Sequence, residues 1–390
     1  MKATKLFATL LATLISLSCF GRAVADTFGS GANVFDIEFV DIGNPGNPAD
    51  TTGTPTGAGS VPYTYRLGKY EISEQMIDKA NILGGLGISW FVRGPDKPAG
   101  SVSWNEAARF INWLNITSGS VAAYKFALQP GGVGYDSNAN IELWTVGDTG
   151  YDPNNLYRNS LAKYFLPSAN EWYKAAYFDP AIGTYHRYPV IANPINENIA
   201  PTAVASGTTP GTAVFSQPIP ADITLAGGLG YFGTMAQAGN MFEWEETNFN
   251  LINNNPPQIR GYRGGVFNGA NSDSGRGTRH SAFPTAGGIG FRIASLFEAT
   301  VAPNADFDQD TDVDGRDFLI WQRGFGLSGQ LDNNLGDANF DGTIDELDLV
   351  VWQDQYAIGP LVAEITAIPE PSSLLLVVVA SVGLLLLRRS

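Results

Sequence analysis

The chain has 390 residues, 38 of them aspartate or glutamate against 23 lysine or arginine, for a formal charge of −15. That balance argues against nucleic acid as a partner, since phosphate contact needs a basic surface, and suits hard divalent cations such as calcium. With 44% hydrophobic residues but 45 glycines and 23 prolines, the composition predicts a folded, loop-rich protein whose long loops are held by a sizeable core.

Lys2 and Lys5 precede an apolar run from Leu6 to Phe20, and Ala23-Val24-Ala25 precedes Asp26. Charge, apolar stretch and small-residue cleavage site in that order predict a secretory signal over residues 1–25 and an exported chain beginning near Asp26. The single cysteine, Cys19, falls inside the discarded run. An exported chain of this size without disulfides must draw its rigidity from packing and metal.

Residues 26–298 read as the main domain. Short apolar pieces, Val34 to Val40 and Tyr63 to Ile72, lie between glycine- and proline-rich loops. Trp90, Phe91, Tyr135 and Trp144 sit on glycine-rich segments, either as core rings or as rings that stack on sugars. Two short amphipathic helices are predicted from capping boxes, Ser103-Trp104-Asn105-Glu106 and Ser168-Ala169-Asn170-Glu171. Helical spacing follows each box: Trp104, Ala107, Ala108, Ile111 and Leu114, then Trp172, Ala175 and Ala176. The run from Asn193 to Asp222, rich in Pro, Thr, Ala and Gly, reads as a surface loop insertion. Arg276, Arg279 and His280 read as polar residues of a surface loop, structural or contacting a ligand. Ser281 next to His280 lacks the strained elbow and oxyanion loop of a nucleophile.

Five segments in order, Val102 to Ala107, Leu166 to Trp172, Gly239-Asn240-Met241-Phe242-Glu243-Trp244, Arg263-Gly264-Gly265 and Gly290-Phe291-Arg292, make residues 34–297 resemble the formylglycine-generating enzyme family, the sulfatase-modifying-factor domain. The resemblance implies an α+β, C-type-lectin-like fold with little regular secondary structure, often stabilised by calcium. It also implies copper held by two cysteines between the last two motifs. Here that interval holds no thiol, and because Cu(I) needs thiolates, formylglycine-generating activity is not expected. The iron-dependent branch of the superfamily uses histidines of an additional domain, whereas this chain has only His186 and His280. The family's calcium site, carried over residue by residue, would take carbonyls from Gly239 and Met241 and the carboxylate of Glu243. Ala236 stands where the family has Asn or Asp. Glu243 is thus either a calcium ligand or a buried carboxylate that satisfies loop N–H groups.

After a linker at 299–305, residues 306–358 hold a repeat of period 31, each copy an acidic loop followed by a short helix with Trp-Gln. The first loop places Asp306, Asp308, Asp310, Asp312, Asp314 and Asp317 at positions 1, 3, 5, 7, 9 and 12; the second places Asp337, Asn339, Asp341, Thr343, Asp345 and Asp348 likewise. Oxygens at alternate positions wrap one Ca²⁺, so folding is expected to be calcium-linked. Thr311 replaces the usual turn glycine in the first loop, at a cost in strain. Two such half-motifs resemble a type I dockerin, which implies a cohesin-like partner. Gly315-Arg316 and Glu346-Leu347 depart from the usual Ser/Thr recognition pairs, leaving a calcium-rigidified spacer as the alternative.

A second linker, 359–368, leads to Pro369-Glu370-Pro371, an apolar stretch from Leu374 to Leu387, and Arg388-Arg389. This order resembles the PEP-CTERM sorting signal, which implies an exosortase-type processing enzyme and a C-terminal apolar helix. At about 1.5 Å per residue the stretch reaches only about 21 Å, short of the roughly 30 Å hydrocarbon core, so residues 374–387 predict a transient membrane association. Together these features predict an exported, envelope-associated, non-catalytic recognition or scaffold protein binding an envelope glycan or protein. The competing readings are an enzyme working through carboxylates or arginines in the same lectin-like pocket and a purely structural matrix protein.

Overall fold

A computed structural model describes residues 24–191, 199–296, 304–327, 330, 332–338, 340 and 344–356. The signal segment up to residue 23, most of the first linker, the second linker and the sorting segment lie outside the described residues. The chain separates into two compact units, Met1–Phe297 and Glu298–Ser390.

The larger unit is built on an antiparallel sheet of five strands in the order β1-β2-β3-β12-β4, comprising β1 (Val24–Phe28), β2 (Phe35–Ile42), β3 (Tyr65–Gly68), β4 (Tyr164–Phe165) and β12 (Ala294–Leu296). β2 shows how the sheet joins two cores. Phe35, Ile37 and Phe39 point into one, with Trp104, Phe110 and Phe291, while Val40 and Ile42 point into the other, with Tyr65, Leu67 and Trp172. Alternate residues of a strand face opposite sides, so the shift from odd to even buried positions marks covering on both faces. Asp26 of β1 meets Arg66 at 2.7 Å and accepts the Tyr164 hydroxyl at 2.7 Å, tying three strands together.

Both predicted helices are present. The helix α2 (Trp104–Thr117) starts with Ser103 Oγ accepting the Glu106 N–H at 3.1 Å while Glu106 accepts the Ser103 N–H at 3.0 Å. The same reciprocal pair, Ser168 and Glu171, opens α3 (Ala169–Tyr177). Sequence reading did not find α1 (Glu74–Gly84), which is capped by Ser73 and stopped by Gly85 at φ 61°. Lys174 of α3 is buried, and desolvation pushes its amine down to about 8. The unfolded chain keeps that proton to higher pH than the folded one, so stability should rise between about pH 8 and pH 10. Denaturation midpoints across this range should show the rise in the parent and lose it in Lys174→Met; an identical rise in the variant would refute the assignment.

Short antiparallel strands β5 (Phe178–Asp179) and β6 (Thr184–Tyr185) follow, then the parallel pair β7 (Thr202–Ala203) and β8 (Thr212–Ala213). The described part of the predicted surface insertion, residues 199–222, is not a free loop. Ala213, Val214 and Ala221 are buried, Asn240 donates its N–H to the Val214 carbonyl at 2.8 Å, and Ala221 donates to Asn240 Oδ1 at 2.8 Å. Small residues let this segment lie flat on Gly239, where any β-carbon would collide with the Val214 carbonyl. A second antiparallel sheet, order β11-β10-β9, comprises β9 (Glu243–Asn248), β10 (Arg260–Arg263) and β11 (His280–Ala282).

The smaller unit pairs α4 (Gly315–Gly324) with α5 (Glu346–Tyr356) around buried Ala305, Phe307, Trp321, Ala338 and Ile344. Among the described residues no helix is long and apolar enough to cross a membrane.

Candidate functional site

In the larger unit the motif residues converge, but on each other. Glu243, Glu245 and Glu246 of β9 are all fully buried, and each is answered by arginine. Arg292 clamps Glu243 through Nε and Nη2, both at 2.6 Å, and Trp172 donates its indole N–H to the same carboxylate at 2.6 Å. This bidentate pairing is the strong, directional kind. Glu243 is thus a buried carboxylate whose donors are a guanidinium and an indole rather than loop N–H groups. Arg292 and Trp172 together occupy three of the lone-pair positions of Glu243, so a cation bound there would share the carboxylate with Arg292. Glu71 lies close by and accepts Asn240 Nδ2 at 2.5 Å and the Met241 N–H at 3.0 Å. Burial first, and then the Glu243 charge, push the Glu71 carboxyl well above the usual carboxylate range.

Glu245 binds Arg263 at 2.6 Å and Arg279 at 2.7 Å. Burial alone would raise its carboxyl, but the two arginines outweigh burial and hold it low. Arg279 spends its other N–H groups on the carbonyls of Phe249 at 2.8 Å and Asn248 at 3.1 Å. The surface-loop reading of Arg279 is thereby corrected, because its charge is neutralised inside the domain. Arg276 is half-buried and donates to the Tyr185 carbonyl at 2.5 Å, with Asp50 at 3.5 Å. His280, also half-buried, stacks on Tyr262 with ring centres 5.2 Å apart and meets the edge of Phe242 at 5.1 Å, and its Nε2 is buried without a hydrogen-bond partner. Arg276, Arg279 and His280 thus pack and tie segments together rather than converging on one ligand.

The interval that matches the copper site holds no thiolate, only hydroxyl, amide and carboxylate oxygens and the imidazole of His280. Ser274 Oγ donates to the Asn271 carbonyl at 2.8 Å, and neither this hydroxyl nor Asp273 can replace a thiolate for Cu(I), so the residues present do not fit that metal. Of the four rings considered for sugar stacking, Trp90, Tyr135 and Trp144 are half-buried and Phe91 is 55% exposed. Tyr135 and Trp144 are pinned by hydrogen bonds to the carbonyls of Leu86 and Ala123.

Among the described residues, the carboxylate groups that could hold a metal lie in the smaller unit. Carboxylate oxygens of Asp306, Asp308 and Asp317 lie within 4.8 Å of one another, as do those of Asp312, Asp314 and Asp317, so four of the other five predicted residues of the first loop surround fully buried Asp317. Asp310 instead reaches the Arg316 guanidinium at 3.3 Å. Asp306 organises the turn by accepting the N–H groups of Asp310 at 3.1 Å and Thr311 at 3.0 Å, and Thr311 takes φ 78°, the left-handed geometry that glycine would adopt without strain. Asp314 has a role the sequence reading missed, as the N-cap of α4 in a capping box with Asp317. In the second loop Asp337 and Asp348 are buried, and Asp345 donates its N–H to Asp348 at 2.8 Å as Asp314 does to Asp317 at 2.8 Å. Asn339, Asp341 and Thr343 lie outside the described residues.

The two repeats are cross-linked by their tryptophans. Trp321 donates its indole N–H to the Asp345 carbonyl at 2.9 Å, and Trp352 donates to the Asp314 carbonyl at 2.9 Å. Each helix thus steadies the other repeat's loop at the same position. Replacing Trp352 by Phe removes one neutral hydrogen bond, about 1 kcal/mol, and should weaken calcium at the first loop about fivefold in a calorimetric titration. Unchanged affinity would mean that this link does not support the loop.

Comparison with known proteins places the larger unit. The family model described as the sulfatase-modifying factor enzyme 1-like domain matches residues 70–296. Among solved structures the chain is similar to Treponema denticola variable protein 1, at 18% identity and TM-score 0.46 over 70% of this chain and 99% of that one. It is similar to CarF at 15% identity and TM-score 0.47, over 67% of this chain and 99% of that one. PvdO from Pseudomonas aeruginosa gives 14% identity and TM-score 0.44, over 70% and 98%. No curated protein matches the sequence. The match to the family model spans more than half of the 390 residues, and the chain belongs to the sulfatase-modifying factor enzyme 1-like family.

Proposed function

We propose that this chain is an exported, cell-envelope-associated recognition protein that keeps the family fold without its cysteine chemistry, joined to a calcium-ordered, dockerin-like module. The observation that carries this reading is where the charges go. Glu243, Glu245, Arg263, Arg279 and Arg292, which an active site would direct toward substrate, are fully or almost fully buried and bind one another. With no cysteine beyond Cys19, the fold has no thiolate to direct at copper or substrate. What remains is a rigid body with a loop-built surface, a suitable frame for binding. The envelope location rests on the signal and sorting segments of the sequence.

The test is affinity capture from the native envelope and exopolysaccharide with residues 26–368 as bait, in calcium and in EDTA. Calcium-dependent capture of a defined glycan or protein is expected. Conversion of a cysteine-bearing sulfatase peptide to formylglycine by the same preparation, read by mass spectrometry, would contradict the reading.

A further inference from the structure

Beside the N-terminus of α3 lies a cavity of about 460 Å³, adjoined by one of about 260 Å³, and Asn154, Asn155 and Asn170 line both. The larger volume falls within the range of small-ligand sites. Ser168, Ala169 and Asn170 of the lining come from the Leu166 to Trp172 motif, and the other lining residues lie outside the five motifs.

The larger cavity's lining mixes apolar side chains, Ala162, Phe165 and Leu296, with amides and two charges, Arg158 and Asp152; Asp152 accepts the Asn154 N–H at 2.8 Å and, as a carboxylate, disfavours an anionic ligand. Arg158 is the cation of the larger cavity, and it is spent on Glu171 at 3.4 Å and Glu246 at 3.2 Å, both fully buried beneath it. A phosphate or carboxylate ligand would have to compete with two carboxylates for that guanidinium. The asparagine amides, by contrast, both donate and accept, as sugar hydroxyls do. Asn155 is held in place, giving Nδ2 to Glu246 at 2.5 Å and accepting Tyr157 N–H at 3.1 Å and Asn253 Nδ2 at 3.2 Å. Asn170 accepts the Gly59 N–H at 3.1 Å through Oδ1, which turns its NH₂ group away from that bond.

One wall of the larger cavity is a fixed aromatic ring. Tyr63 is 39% exposed, but its hydroxyl is anchored on Glu171 at 2.6 Å and its edge packs on Tyr65 with centres 6.2 Å apart. A ring held this way presents a face at little entropic cost, which suits the C–H face of a pyranose.

We propose that this double cavity binds a neutral oligosaccharide, with Tyr63 as the stacking platform and Asn154, Asn155 and Asn170 as the hydroxyl-reading groups. The proposal rests on the recognition reading above, and it places the ligand away from Arg276, Arg279 and His280. The test titrates maltotetraose, cellotetraose, xylotetraose and mannotetraose into residues 26–368 by calorimetry. At least one should bind, with affinity falling tenfold or more in Tyr63→Ala and severalfold in Asn154→Ala, an exposed position whose loss spares the fold. Phe283→Ala, at an exposed position after β11, should change nothing. If no tetraose binds, or the one that binds does so equally to Asn154→Ala, the proposal fails. Undiminished envelope capture by Asn154→Ala would then show that recognition survives without this cavity.

Discussion

Chelation of calcium is expected to unfold the acidic unit of residues 304–356 while the larger unit stays folded. The buried core of that unit is small, with Trp321 as its largest residue, and its loop gathers carboxylates that oppose each other. Burial, then the charges of Asp310 and Asp317, push the Asp308 carboxyl above its usual range, and Asp310 first of all raises Asp312. A divalent ion at Asp317 reverses this repulsion, and since the unfolded chain holds no formed site, binding energy becomes folding energy. At calcium a thousandfold above the dissociation constant the gain is about 4 kcal/mol. Scanning calorimetry of residues 26–368 should show one transition that moves sharply with calcium and disappears in EDTA, beside a second that does not move. Asp317→Asn should lower the moving transition, and the double variant with Asp348→Asn should mimic EDTA. Identical scans in calcium and EDTA would refute a calcium-linked unit.

Replacing Glu245 by Gln should destabilise the larger unit by about 3–5 kcal/mol, because it leaves Arg263 and Arg279 buried without their shared counter-charge. The amide keeps the shape of the carboxylate, so packing is spared and the loss is electrostatic. Urea unfolding should show the drop, and Arg279→Ala should produce a comparable one. Were Arg279 a ligand-binding residue of a surface loop, its removal would leave the midpoint within about 0.5 kcal/mol of the parent, as most surface changes do. That result would overturn the assignment of Arg279 as a structural residue.

These two expectations also mark where sequence reading succeeds and where it stops. The capping boxes at Ser103 and Ser168 were legible because both partners lie three residues apart, and the acidic repeat because its ligand spacing recurs. The helix at Glu74–Gly84 escaped because Ser73 is followed at the third helical position by Met76, so only half of the capping signal is written there. The insertion before Asp222 reads as a surface loop, and residues 202–210 and 216–219 are largely exposed, but composition could not show that 211–214 is buried against Gly239, since small residues serve equally well in a solvated loop and in a packed segment. Arg279 was misplaced for a different reason. Arginine is usually exposed, and the partner that buries it, Glu245, sits 34 residues away on β9. Glu243 and Arg292 were each singled out as motif residues, but their separation of 49 residues hid that they belong to each other. The asparagine-lined cavity was invisible for the same reason, because Tyr63, Asn155 and Asn170 come from three separate loops or helix starts.

The stoichiometry of calcium in residues 26–368, measured by equilibrium dialysis, is the most direct test of a metal-ordered smaller unit. Two ions per chain are expected, one falling away in Asp317→Asn and the other in Asp348→Asn, with none left in the double variant. A calcium ion that persists in the double variant and leaves only with Glu243→Gln would place the metal in the larger unit and contradict a metal-ordered smaller one.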